Sequence, residues 1–172
     1  MAITLTAETG AGVADANTYA TRAQADQYHE GRLHTAAWTS AAPAVKDQAL
    51  VMATRFLDAN VAWQGSRNKI DQSLAWPRRG VTWDGHPVPD DMMPRPVVDA
   101  TCELARLLLE NDLQADQEND NIKSINLGNS ALQIEFKDTS KTRRIPLAIG
   151  ELLQGLGATS TSGKIQQRPV TR

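Results

Sequence analysis

Residues 74–103 read LAWPRRGVTWDGHPVPDDMMPRPVVDATCE, a proline-punctuated loop that runs straight into a long apolar helix. Trp76-Pro77 forces an extended backbone before the proline ring. Gly80 and Gly85 mark two turns, and Pro94 and Pro96 bracket the start of the helix. A segment built this way is rigid without being regular.

Working outward, Val97, Thr101, Leu104, Ala105 and Leu108 recur at helical spacing, and Val98, Cys102 and Leu109 widen the stripe. The spacing predicts a helix over 95–113 that is buried on two sides. Upstream, Val45, Ala49, Met52, Ala53, Phe56, Leu57 and Asn60 predict a helix over 41–60, with Ser40 as its cap and Pro43 tolerated in its first turn. Phe56, Leu57, Leu104 and Leu108 are expected to share one core. Thr21 with Gln24 fits a capping box and starts a helix over 22–31, and residues 3–5 suggest a short strand. Between these helices the 61–93 stretch sustains neither period. Connections of that length inside compact domains are usually functional or disordered, and Trp63, Trp76 and Trp83 favour an ordered, packed loop.

Beyond the polar run 114–120, segments 122–127 and 131–136 alternate as a β-hairpin turning at Gly128-Asn129. A short amphipathic helix is expected over 146–155, using Leu147, Ile149, Leu152, Leu153 and Leu156. Residues 157–172 hold too few apolar groups to fold alone. The expected fold is mainly α: a small bundle of about four helices with a β-hairpin insertion and an extended C-terminal tail. Its parts are a helical core over 1–121, the hairpin over 122–137, a linker and short helix over 138–156, and the tail over 157–172.

The 172 residues suit one compact domain with an extension. Hydrophobic residues make up 41%, but only eight residues are aromatic, so the core should be helical and thin. One cysteine, Cys102, excludes an internal disulfide and a cysteine metal cluster. With no long apolar run and no signal-peptide pattern at the start, a soluble, unexported chain is expected. Charge is uneven. Residues 137–172 carry seven basic groups against Asp138 and Glu151, a net +5, which leaves −7 on the other 136 residues of a chain whose total is −2. Such a split suggests an interaction tail on a mildly acidic body.

The residues that could carry chemistry do not assemble into a motif. His29, His34 and His86 share no metal spacing with Cys102 or with a carboxylate pair, and read as exposed or incidental. Asp116, Glu118 and Asp120 alternate, but Asn121, Ile122 and Lys123 break the calcium-loop pattern; they and Asp90-Asp91 read as solvated loop acids. Cys102 lies mid-helix among apolar residues and reads as a small buried hydrophobe. GxSxG, P-loop and GxGxxG patterns do not occur, and neither enzyme activity nor a cofactor is expected. Arg78, Arg79 and Arg95 with nearby Trp76 and Trp83 could form a stacking and phosphate-binding surface for single-stranded nucleic acid. The acidic body argues against it, because phosphate contact supplies most non-specific affinity.

Four stretches, GVADANTYATRAQADQY (12–28), ATRFLDA (53–59), LAWPRRGV (74–81) and MPRPVVDATCELA (93–105), follow one another in an order that resembles the head-to-tail connector, or adaptor, proteins of tailed bacteriophages. Some members of that family are labelled DnaT-like single-stranded DNA binding proteins. The likeness fades after residue 137. It implies a non-enzymatic virion protein of the neck, made in the host cytoplasm and forming a dodecameric ring beneath the portal. The ring would join the DNA-filled head to a tail protein and pass genomic DNA without reading its sequence. In that reading Trp76, Pro77, Arg78, Arg79 and Trp83 contribute to subunit contacts. Lys164, Ile165, Arg168, Val170 and Arg172 of the tail dock on the portal or a neighbouring copy. The alternative is a single-stranded DNA binding or replication accessory protein, with Arg78, Arg79 and Arg95 on the DNA.

Overall fold

A computed structural model describes residues 3–111, 113, 122–128, 131–136 and 145–159. Helix α1 (Arg22–Glu30) starts on the expected capping box: Thr21 Oγ1 accepts from the Gln24 amide at 3.1 Å, and Gln24 Oε1 accepts from the Thr21 amide at 2.8 Å. Helix α2 (Ala36–Ser40) was not anticipated, since five residues are too few to display a period. Ser40 ends this helix, its hydroxyl donating to Ala36 O, instead of capping the next one. Helix α3 (Pro43–Asn60) therefore begins with Pro43 in its first position, where the missing N–H has no partner to lose. Helix α4 (Arg95–Glu110) stops short of residue 113 because Asn111 turns extended. Helix α5 (Leu147–Leu152) follows Pro146 and is shorter than the expected 146–155.

The strands are β1 (Val61–Trp63), β2 (Ser66–Arg67), β3 (Arg78–Arg79), β4 (Thr82–Trp83), β5 (His86–Pro87), β6 (Ile122–Gly128), β7 (Ala131–Phe136) and β8 (Gly157–Thr159). They pair antiparallel as β1–β8, β2–β3, β4–β5 and β6–β7. The architecture is thus mixed α/β, a helical core trimmed with two-stranded sheets, and not simply a bundle of about four helices. The hairpin β6–β7 lies close to its expected bounds, with Ile125 opposite Ile134 and Leu127 opposite Leu132. Residues 3–5 are not a strand. The Asn17 carboxamide accepts from the Thr6 amide and donates to Thr4 O, taking the place of a ladder.

Gly157 begins the segment expected to be a free tail, yet residues 157–159 are paired with β1, Trp63 opposite Gly157 and Val61 opposite Thr159. Glycine permits the approach: a Cβ at 157 would meet Val61 Cγ1 at 2.5 Å. The remainder of the tail, with Lys164, Ile165, Arg168, Val170 and Arg172, and the acids Asp116, Glu118 and Asp120 lie outside the described residues.

The core sits between α3 and α4. Leu50, Phe56 and Leu57 from α3 and Val97, Cys102 and Leu104 from α4 are buried, as are Ala49, Ala53, Ala100 and Ala105, which keep the layer thin. Trp38 of α2, Trp76 of the long connection, and Ile149, Leu153 and Leu156 complete it, while Leu108 is only partly buried at its margin. Thr54 and Thr101 enter this apolar layer with their hydroxyls donating to Leu50 O and Val97 O one turn back. Leu104→Ala is expected to reduce stability by about 2–5 kcal/mol, the range for truncating a buried leucine. A thermal melt checks it, and an unchanged midpoint would remove this face from the core. Among the described residues no helix is long and apolar enough to cross a membrane.

Candidate functional site

Three of the stretches that run in order along the sequence meet at one buried node. Asp58, in the last turn of α3, accepts a short hydrogen bond from the Tyr19 hydroxyl at Oδ1 and the Ala75 amide at Oδ2, the latter at 3.0 Å. The Tyr19 oxygen in turn accepts from the Trp76 amide at 3.2 Å, and the Tyr19 amide donates to Thr54 Oγ1. Burial pushes the Asp58 carboxyl above its ordinary range, and burial together with the Asp58 charge drives the Tyr19 phenol far up. The node is a structural clamp with its protons fixed. It ties the N-terminal loop, α3 and the Leu74–Pro77 segment together.

The rest of the long connection is held in the same way. Gln72 donates to Leu74 O and Pro77 O at 2.8 and 2.9 Å and accepts from the Lys69 amide. Trp76 is fully buried, packs edge-on to Trp63 at 5.8 Å, and precedes a cis peptide to the buried Pro77. All three guanidinium nitrogens of Arg78 donate to backbone carbonyls of this connection: Nε to Gln64, Nη1 to Ala75 and Nη2 to Gly65. The Gly65 bend cannot carry a side chain, for a Cβ there would lie 2.3 Å from Arg79 O.

These contacts divide the expected site residues. Trp76 and Pro77 are buried within this chain, and half-buried Arg78 is committed to carbonyls of its own loop. The sequence could not separate them from Arg79 and Trp83, since all five lie in one irregular stretch. Arg79 is exposed on β3 with a long contact to Ser66 Oγ, and Trp83 on the β4–β5 hairpin is 41% exposed. Arg95 opens α4 with its side chain 88% exposed and pairs with Asp99 one turn on. Arg78, Arg79 and Arg95 therefore have separate partners. Residues 61–93 also carry Asp71, Asp84, Asp90 and Asp91 against Arg67, Lys69, Arg78 and Arg79, so the stretch is formally neutral.

A second buried polar group was missed by sequence reasoning. Glu103 of α4 accepts hydrogen bonds at Oε1 from Arg32 Nη2 at 2.7 Å and Arg106 Nη2 at 2.8 Å, and its Oε2 is ion-paired with Arg32 Nε at 2.6 Å. Arg106 also reaches Glu110 at 2.9 Å. The spacing of Glu103, Arg106 and Glu110, three and four residues apart, was the available signal. His29, expected to be exposed or incidental, is buried on α1 with Nε2 3.1 Å from Cys102 O. At the N-terminus the carboxylate of buried Glu8 is wrapped by its own loop, accepting amides of Thr9, Gly10 and Gly12 at Oε1 and of Val13 at Oε2. Cys102 is fully buried and burial pushes its thiol up to about 12, which leaves it protonated and unreactive at neutral pH. Among the described residues no group of three His, Cys, Asp or Glu side chains is placed to hold a metal ion.

The family model described as "Putative DnaT-like ssDNA binding protein" matches residues 3–172. This chain belongs to that family. The match runs past residue 137 and through the C-terminal segment, and it does not extend to the phage connector resemblance. No curated protein and no solved structure matches the chain. Of the residues expected as alternative DNA contacts, Arg79, Trp83 and Arg95 are exposed, whereas Trp76 is buried and Arg78 is bonded to its own loop.

Proposed function

We propose that the chain is a non-catalytic structural protein that serves as a head-to-tail adaptor ring of a tailed phage, docked beneath the portal. The observation that carries this reading is the buried node of Tyr19, Asp58 and Trp76. The stretches that resemble connector proteins meet there to make a rigid body, and the loop that could have wrapped a nucleic acid is fastened to that body instead. A neutral connection and an acidic remainder also suit a neck through which DNA must slide, since dense phosphate contacts would hold it. The basic residues Lys164, Arg168 and Arg172 would speed encounter with the portal, and Ile165 and Val170 would fill small apolar pockets there.

The second reading is a single-stranded DNA binding protein. It is the reading that the family's description favours, and exposed Arg79, Trp83 and Arg95 are its contacts on this chain. One comparison divides the two. Purified protein is mixed with portal rings and followed by light scattering and electron microscopy, and with labelled oligothymidine followed by anisotropy at low and moderate salt. The adaptor reading expects rings on the portal, weak oligonucleotide binding, and loss of docking when residues 160–172 are deleted while β8 is kept. The DNA reading expects tight oligonucleotide binding without portal docking. In that case Arg79→Ala with Arg95→Ala would flatten the salt dependence by about 1.4 units of slope, about 0.7 for each phosphate contact removed from a single strand.

A further inference from the structure

His29 is built as a neutral group in a place where its charged form has nowhere to go. Its Nε2 lies 3.1 Å from Cys102 O, which can only accept, so Nε2 carries the proton. Nδ1 is buried with no hydrogen-bond partner among the described residues. The ring is packed between Tyr28 of α1, at 5.1 Å edge-on, and Trp38 of α2, at 4.9 Å. The charges around it are already balanced. Arg32 and Arg106 meet Glu103 and Glu110, and beyond the Trp38 ring Lys46 of α3 meets Asp26 of α1. Tyr28 and Cys102 are the remaining titratable neighbours, and Asp99 of α4 is paired with Arg95. A proton on Nδ1 would add an unmatched positive charge beside two arginines and an N–H without an acceptor.

We infer that His29 is an acid-released latch, holding the α1–α2 arm on α4 at neutral pH and letting it go when its second nitrogen is protonated. The three groups that fasten the arm meet at this point: the His29 bond to Cys102 O, the Arg32 pair with Glu103, and Trp38, whose Nε1 donates to Asp26. Burial lowers the affinity of the folded imidazole for a proton below the ordinary value of 6.5. The unfolded or opened state then binds more protons than the closed one. The stabilisation is full above 6.5 and is lost progressively as pH falls from there through the lower value of the folded imidazole.

Amide hydrogen exchange on the full chain from pH 7.5 to 5.0, corrected for intrinsic rates, tests the latch. The opening constant for α1 and α2 should rise towards about thirtyfold, the limit set by an opened imidazole titrating near 6.5, while α3 amides stay protected. His29→Gln keeps a donor for Cys102 O and removes the titration, so its α1–α2 protection should no longer depend on pH in this window. His34→Gln should behave as wild type. A wild-type arm whose protection is flat with pH, or a His29→Gln protein that still opens in acid, overturns the latch. Should His29→Gln fail to fold, the ring proton resonances of wild-type His29 decide: a midpoint well below 6.5 upholds the latch, and one at or above 6.5 overturns it.

Discussion

Trp76→Ala is expected to destabilise the protein by about 3–5 kcal/mol, the range for removing a buried aromatic side chain from a core. The indole is fully buried against Trp63, and its backbone amide is one of the bonds that close the Tyr19–Asp58 node. The cavity would open beneath the loop that Gln72 and Arg78 staple, so neither staple can collapse into it without giving up carbonyl partners. Urea denaturation followed by circular dichroism measures the loss, and a change within about 0.5 kcal/mol, the size of an ordinary surface substitution, would show that Trp76 is not part of the core. With the expected destabilisation, loss of ring formation or of DNA binding in Trp76→Ala would reflect folding. Trp83→Ala and Arg79→Ala, at exposed positions, are the variants that report on a surface.

How far the sequence reveals this molecule depends on whether each element is fixed locally or by distant partners. Helices α1, α3 and α4 are legible because each has a local cap or proline and an apolar stripe of several turns, and their observed bounds fall within three residues of the expected ones. Helix α2 is a single turn held by the packing of Trp38, which has no local signature. The strand pairs β2–β3 and β4–β5 have two residues per strand, too few to alternate, and Arg78 and Gly65 determine how the first of them closes. The anchoring role of the tryptophans in the long connection could be read from composition, but not which of them faces inward. Tyr19 and Asp58 are 39 residues apart and look like an ordinary loop tyrosine and a helix-surface acid until the fold joins them. His29, between Tyr28 and Glu30 on a short polar helix, gave no sign of burial, because the surface that covers it comes from α2 and α4.

Glu103→Leu is expected to destabilise the protein by up to about 3–5 kcal/mol, the usual penalty for breaking a buried ion pair, with Glu110 left as the one carboxylate that still meets Arg106. The Glu103 side chain is 3% exposed and Arg106 is 7% exposed, so neither charge can turn to water when the other is removed. Arg32 is partly exposed and can be solvated by a small rotation, which confines the penalty to Arg106, held then by the partly exposed Glu110 alone. The double variant separates charge from packing. Removing Arg106 as well takes away the under-compensated buried charge and its desolvation penalty and leaves Glu110, which is partly exposed, to water, so Glu103→Leu with Arg106→Leu should be more stable than Glu103→Leu alone. The pair would then bury apolar surface on a helix that is already apolar around it. Added salt should leave the wild-type contribution nearly unchanged, since ions screen exposed charges far more than buried ones. Denaturation of the two variants and wild type at low and high salt measures all of these terms. If the double variant lost as much as the single one, the contribution of Glu103 would lie in shape and packing at the α4 surface, and its charge would be incidental.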